Sequence, residues 1–94
     1  MTKPKISVIL SAYNEEKFIR KAIESVVNQT LEDIEIIIIN DGSTDNTLDI
    51  INSYADKDSR IVVIDQENIG LGASRNKGMK IAKGEYVKIG RAHV

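Results

Sequence analysis

The chain has 94 residues, enough for one small domain and too few for two, since domains run from about 50 to 250 residues. With 41% hydrophobic and 29% charged residues, one Pro and six Gly, its composition excludes collagen-like, low-complexity and disordered classes. The formal charge of −1 conceals a split: residues 1–70 hold 7 Lys/Arg against 13 Asp/Glu, whereas residues 71–94 hold 6 Lys/Arg against Glu85 alone.

The first element, Lys5 to Leu10, is short and rich in β-branched residues, as a buried strand requires. Asn14 then offers a helix cap, with Glu15 and Glu16 suited to the positive first turn. Phe18, Ile19, Ala22, Ile23, Val26 and Val27 form a helical stripe opposite Lys17, Arg20, Lys21 and Glu24. Glu35 to Asn40 carries four consecutive Ile, apolar on both faces, which predicts a central strand of a covered parallel sheet. Asp41-Gly42-Ser43 supplies turn chemistry, and Ser43 or Thr44 can cap a helix whose inner side is Leu48, Ile51 and Tyr54. Arg60 to Asp65 predicts a third strand. A helix over 72–82 follows, weakened by Gly78, and Gly84 leads into a fourth strand at Glu85 to Ile89. The order β-α-β-α-β-α-β with short links predicts an α/β fold of three layers, α/β/α, on a parallel doubly wound sheet. Ligands of such sheets bind beyond the carboxyl ends of the strands, here the loops Ser11–Glu15, Asp41–Thr44 and Gln66–Arg75.

Several chemistries are excluded by the residues themselves. Without Cys there is no disulfide, thiolate nucleophile or Cys-based metal site. No uninterrupted apolar run is longer than Ile36–Ile39, against the roughly 20 residues of a membrane span. Met1 to Lys5 does not lead into a signal peptide, so the cytoplasm is the expected compartment. Gly70 to Arg75 starts like a GxGxxG loop, but Arg75 replaces the third Gly and the motif follows the third strand rather than the first. There is no GxxxxGK[ST] loop. Asp41 to Asp45 lacks the alternating carboxylates of a calcium loop, and His93 is the single histidine, so no metal-ligand set emerges.

Three segments taken together carry more information. Ile6 to Glu15 (ISVILSAYNE), Ile39 to Thr47 (INDGSTDNT) and Asn68 to Gly78 (NIGLGASRNKG) resemble the start of family 2 inverting glycosyltransferases, nucleotide-sugar enzymes with the GT-A fold. The resemblance spans about Lys5 to Val87, in the family's order and spacing. Ser11 stands where many members have Pro, a change in loop rigidity rather than chemistry.

The resemblance implies a strand order of 3-2-1-4 and four nucleotide-binding residues. Tyr13 would lie against the nucleobase and Glu15 would accept from base or ribose hydroxyls. Asp41 would accept from the base, typically uracil, and Arg75 would reach base oxygens or the diphosphate. Read on its residues alone, Tyr13 serves equally as a packing aromatic and Glu15 as a first-turn charge. Asp41 serves equally as an Asx-turn residue, and Arg75 as an exposed helix charge. Asn68 and Asn76 are expected to shape the loop and the helix start. The donor implied is a nucleoside-diphosphate sugar of the UDP type, and the acceptor a saccharide or lipid-linked molecule.

After the fourth strand the family continues into a D-x-D motif that holds a divalent cation, Mg or Mn. This chain instead reads Lys88 to Val94, KIGRAHV. Residues 1–87 are therefore expected to form the N-terminal nucleotide-sugar-binding part, with 88–94 a foreign or truncated tail. Cation binding and transfer are expected of a longer parent enzyme, and binding without transfer of this chain. A non-catalytic regulatory or interaction domain is the rival reading. The basic residues of 71–94 raise a third, nucleic-acid binding, but four aromatic residues give it little support and no nucleic acid is expected as partner. An open sheet edge at Glu85–Ile89 would invite self-association.

Overall fold

The computed structural model describes residues 4–29 and 33–91. The last three residues of the expected tail, His93 among them, lie outside them. Seven elements follow in order: β1 (Ile6–Ala12), α1 (Ile19–Val27), β2 (Ile34–Asp41), α2 (Thr47–Ala55), β3 (Ile61–Gln66), α3 (Leu71–Ile81) and β4 (Tyr86–Arg91). The strands form one parallel sheet in the order β3-β2-β1-β4. This is the order implied by the family resemblance.

Alternation along the two central strands splits the core between two faces. Val8, Leu10, Ala12, Ile36 and Ile38 pack with Ile19, Ile23 and Val26 of α1 and Ile51 of α2. Ile9, Ile37 and Ile39 form the opposite cluster with Ile64 and Ala82. Helix α3 lies on that second face, which completes the three layers. The four-Ile run is apolar on both sides because β2 is covered on both sides.

Gly78 turns out to be a packing residue. Its presence weakens the helix by about 1 kcal/mol relative to Ala. A Cβ there would stand 2.8 Å from Ile9 Cγ2 and 3.1 Å from Ile39 Cδ1. The bare backbone lets α3 sit directly on the sheet, with Ser74 and Gly78 as its two buried residues.

Two helix starts differ from the sequence expectation. Helix α1 begins at Ile19, after Phe18, and α2 at Thr47, after Asn46, and neither Phe18 nor Asn46 caps through its side chain; the Thr47 N–H donates instead to Asp45 Oδ1 at 2.9 Å. Asn14, Ser43 and Thr44 are engaged elsewhere, across the gap between two loops. Strand β4 also runs further than expected. It pairs with β1 from Ile6↔Tyr86 to Ser11↔Arg91, so Lys88 to Arg91 belong to the sheet.

At the amino edge, a polar node closes β4 onto the sheet. The buried Ser7 hydroxyl donates to Glu35 Oε2 at 2.5 Å and accepts the Gly84 N–H at 2.8 Å. The Lys83 N–H donates to the same Glu35 oxygen at 2.5 Å. β4 is otherwise an open edge, with Tyr86 63% exposed and Val87 and Ile89 exposed beside it.

Candidate nucleotide site at the carboxyl edge

The carboxyl ends of β1, β2 and β3 carry the loops that the topology singles out. Tyr13 leaves the end of β1 and is 41% exposed, directly after the buried Ala12. Asn14 turns the chain with a left-handed backbone, φ 51°. The Glu15 carbonyl then accepts the N–H groups of Phe18 and Ile19, at 2.9 and 2.8 Å, and starts the turn into α1.

A set of cross-loop hydrogen bonds joins this segment to the β2–α2 loop. Asn14 donates its N–H to Ser43 Oγ at 2.9 Å. Its Oδ1 accepts from the Thr44 N–H at 2.7 Å and from the Thr44 hydroxyl at 3.3 Å. The Glu15 N–H donates to Thr47 Oγ1 at 2.9 Å, and the Glu16 N–H to Asp45 Oδ2 at 3.3 Å. In return, Asn46 donates its N–H to Glu16 Oε2 at 3.2 Å. Burial pushes the Asp45 carboxyl up, but hydrogen bonds led by the Thr47 hydroxyl outweigh it and hold Asp45 below the usual 3.8.

Asp41 connects the β2 end to the start of α3. It is 0% exposed. Its Oδ1 accepts the Ile69 N–H at 2.8 Å and Gln66 Nε2 at 3.1 Å, and its Oδ2 accepts the Gly70 N–H at 3.0 Å. Gln66 lies opposite Asp41 in the β2–β3 register and also donates to Ser74 Oγ at 2.9 Å. Burial pushes the Asp41 carboxyl up. The donors, led by the Ile69 N–H and followed by Gln66, Ser74 and Gly70, more than offset that and keep it below 3.8. Asp41 is therefore an anion with its oxygens engaged by the chain itself. The Asx-turn alternative placed its partners in the next helix, whereas they lie 25–29 residues further on, because β3 and the α3 start fold back against β2.

The loop before α3 is held twice over. Asn68 donates its amide to the Asp41 carbonyl at 3.1 Å. Gly42, at φ 72°, lets Asn68 approach so closely that a Cβ would stand 2.6 Å from its backbone nitrogen. Arg75 follows one turn into α3, exposed, with Nε 3.5 Å from the Leu71 carbonyl. Nothing lies within 4 Å of a Cβ built on Gly70 or Gly72, so the rim at this helix start is open.

The structure thus places Tyr13, Glu15 and Asp41 at the carboxyl ends of β1 and β2, with Arg75 on α3, on a rim held by two sets of hydrogen bonds, one between residues 14–16 and 43–47 and one from Asp41 to Gln66, Ile69 and Gly70. It adds residues that sequence reasoning missed. Gln66 had a signal, a polar side chain ending an apolar strand at the ligand-binding edge. Ser74 had one too, as a small residue four positions before the buried Gly78. Among the described residues, no group of three or more His, Cys, Asp or Glu could hold a metal ion. The described residues therefore do not fit the divalent cation that the resemblance implies for a longer enzyme.

The comparisons with known proteins agree with this architecture. The Glycosyl transferase family 2 model matches residues 7–89. The uncharacterized glycosyltransferase EpsJ of Bacillus subtilis is 49% identical over 89% of this chain and 24% of its own length. The poly(ribitol-phosphate) beta-glucosyltransferase of Bacillus spizizenii is 48% identical over 88% of this chain and 14% of its own. The crystal structure of S. aureus TarS 1–349 in complex with UDP-GlcNAc superposes with a TM-score of 0.86 at 35% identity, covering 94% of this chain and 26% of that one. The chain spans about a quarter or less of each of these proteins. With three motifs in register, the 3-2-1-4 sheet and a family match over residues 7–89, this chain belongs to glycosyl transferase family 2.

Proposed function

We propose that this chain is the nucleotide-binding portion of a glycosyltransferase that uses a UDP-sugar donor and a saccharide or lipid-linked acceptor. The observation that carries this reading is the rim at the carboxyl edge, in a fold whose 35%-identical neighbour was crystallised with UDP-GlcNAc. Tyr13 offers an exposed ring for the base, a contact worth about 1–3 kcal/mol in proteins that stack bases. Glu15 accepts from ribose hydroxyls or base, and Arg75 presents its guanidinium to base oxygens or diphosphate. For Asp41 to accept from the imide N–H of uracil, the Ile69–Gly70 segment must draw back from one of its oxygens. No transfer step is assigned to the residues of this chain, and the divalent cation belongs to the expectation for a longer enzyme.

Calorimetric titration separates base recognition from simple anion binding. UDP is expected to bind at least about tenfold more tightly than inorganic pyrophosphate, the equivalent of one stacked base. Equal affinity for the two would rule out base recognition by Tyr13. We place self-association at the open β4 edge, where unpaired backbone groups flank Tyr86, Val87 and Ile89. Sedimentation should then show a concentration-dependent mass, and a constant monomer mass would remove that proposal.

A further inference from the structure

We propose that Asn14 is a positioning residue for base recognition, one that aims Tyr13 through its left-handed backbone and its bonds to Ser43 and Thr44. This rests on the nucleotide-binding reading above. Among the described residues Asn14 is the one non-glycine residue with positive φ, at 51°. Asn is among the few L-residues that tolerate this region, because its short amide can bond locally. Here the amide bonds across to another loop instead. Three hydrogen bonds, from Asn14 N–H to Ser43 Oγ and from the Thr44 N–H and hydroxyl to Asn14 Oδ1, fix both backbone and side chain. The next residue is fixed as well, by the Glu15 N–H on Thr47 Oγ1.

The placement argues for orientation over stability. The Asn14 bonds are solvent-exposed, and exposed polar contacts contribute little to folding. A turn needing only a left-handed residue would be served by Gly, which has no acceptor for Thr44. Asn supplies both features at the one position between Tyr13 and Glu15. Between the buried Ala12 and the Glu15 turn, Tyr13 has no regular element to direct it. Its direction is set by the residue that follows. The arrangement also accounts for Ser43 and Thr44, which cap no helix.

The test is a double-mutant cycle read by affinity for UDP and for ribose 5-diphosphate, which lacks the base. N14A is expected to weaken UDP about tenfold and to leave ribose 5-diphosphate within about twofold, because only the stacking contact is misaimed. N14G, which restores the backbone and keeps its N–H on Ser43 but loses the two bonds from Thr44, should fall between N14A and the parent. In the Y13A background, N14A should cost nothing further, since contacts that act through one another are not additive. Equal weakening of both probes, or full additivity with Y13A, would overturn the positioning role while leaving base stacking intact. Y13A binding UDP as the parent does would instead overturn the stacking reading, and the positioning role with it. Should N14A fail to fold, N14D and N14G decide the question. N14D keeps the acceptor and should stay within about threefold of the parent, whereas N14G should bind UDP several-fold more weakly. Parent-like UDP affinity in N14G would contradict the proposal.

Discussion

Asp41→Ala is expected to lower the stability of this chain by about 3 kcal/mol, because it strands buried donors whose acceptor was a charge. The N–H groups of Ile69 and Gly70 and the Gln66 amide all converge on that carboxylate. For a domain of this size, such a loss corresponds to a fall in Tm of roughly 15 °C. Asp41→Asn should recover only part of it. An amide offers one acceptor and one donor where the site presents donors from both sides. The pH dependence follows from the lowered Asp41 pKa. A carboxyl held below its usual value stabilises the fold above that value, and the contribution disappears as pH falls through the folded value. Below about pH 4 the parent should therefore lose more stability than Asp41→Ala does, so their acid unfolding curves converge. Asp45 and Asp58 are lowered too, and their share of the acid sensitivity stays in the variant. Chemical unfolding at pH 7 and pH 3 measures both effects, and parallel curves across that range would contradict the assignment.

Gly84→Ala is expected to cost about 3 kcal/mol, at the upper end for overpacking. The added Cβ would stand 2.6 Å from Ser7 N, 2.7 Å from Ser7 Oγ and 2.8 Å from the carbonyl carbon of Ile6. Backbone atoms of a central strand cannot turn aside as a side-chain end could. The node formed by Ser7, Glu35, Lys83 and Gly84 would be forced open where β4 enters the sheet. Gly72→Ala is the internal contrast. It lies in α3 with nothing within 4 Å, so the same chemical change should stabilise by about 0.5–1 kcal/mol through helix propensity. Opposite shifts in the denaturant midpoint are the expected outcome. A Gly84→Ala midpoint at or above that of the parent would contradict the close contact with Ser7.

What could be read from the sequence was the periodic part. The apolar stripe of α1, buried at Ile19, Ile23 and Val26 though not at Phe18, and the unbroken Ile run of β2 report on which faces are buried. The strand order came through the resemblance rather than through patterning. Helix caps were misread for a physical reason: Asn14, Ser43 and Thr44 carry a local signal, but their partners lie 29–30 residues away in the opposing loop. Gly78 illustrates the same limit. Propensity counts it as a defect of α3, and only contact with Ile9 and Ile39 explains it. At the site, the positions of Tyr13, Glu15, Asp41 and Arg75 at one edge were legible from topology. That the Asp41 oxygens are engaged by Ile69, Gly70 and Gln66 was not, since a loop's fold onto a strand end leaves no periodic trace.

The central claim is that the carboxyl edge receives a nucleotide. It is tested most directly by following backbone amide shifts of the labelled chain during titration with UDP. Binding at the rim should move Tyr13, Glu15, Ile69, Gly70 and Arg75 along one saturation curve, and leave the amino-edge amides of Ser7, Lys83 and Gly84 in place. Shifts confined to the amino edge, or a rim unmoved at saturating UDP, would contradict it.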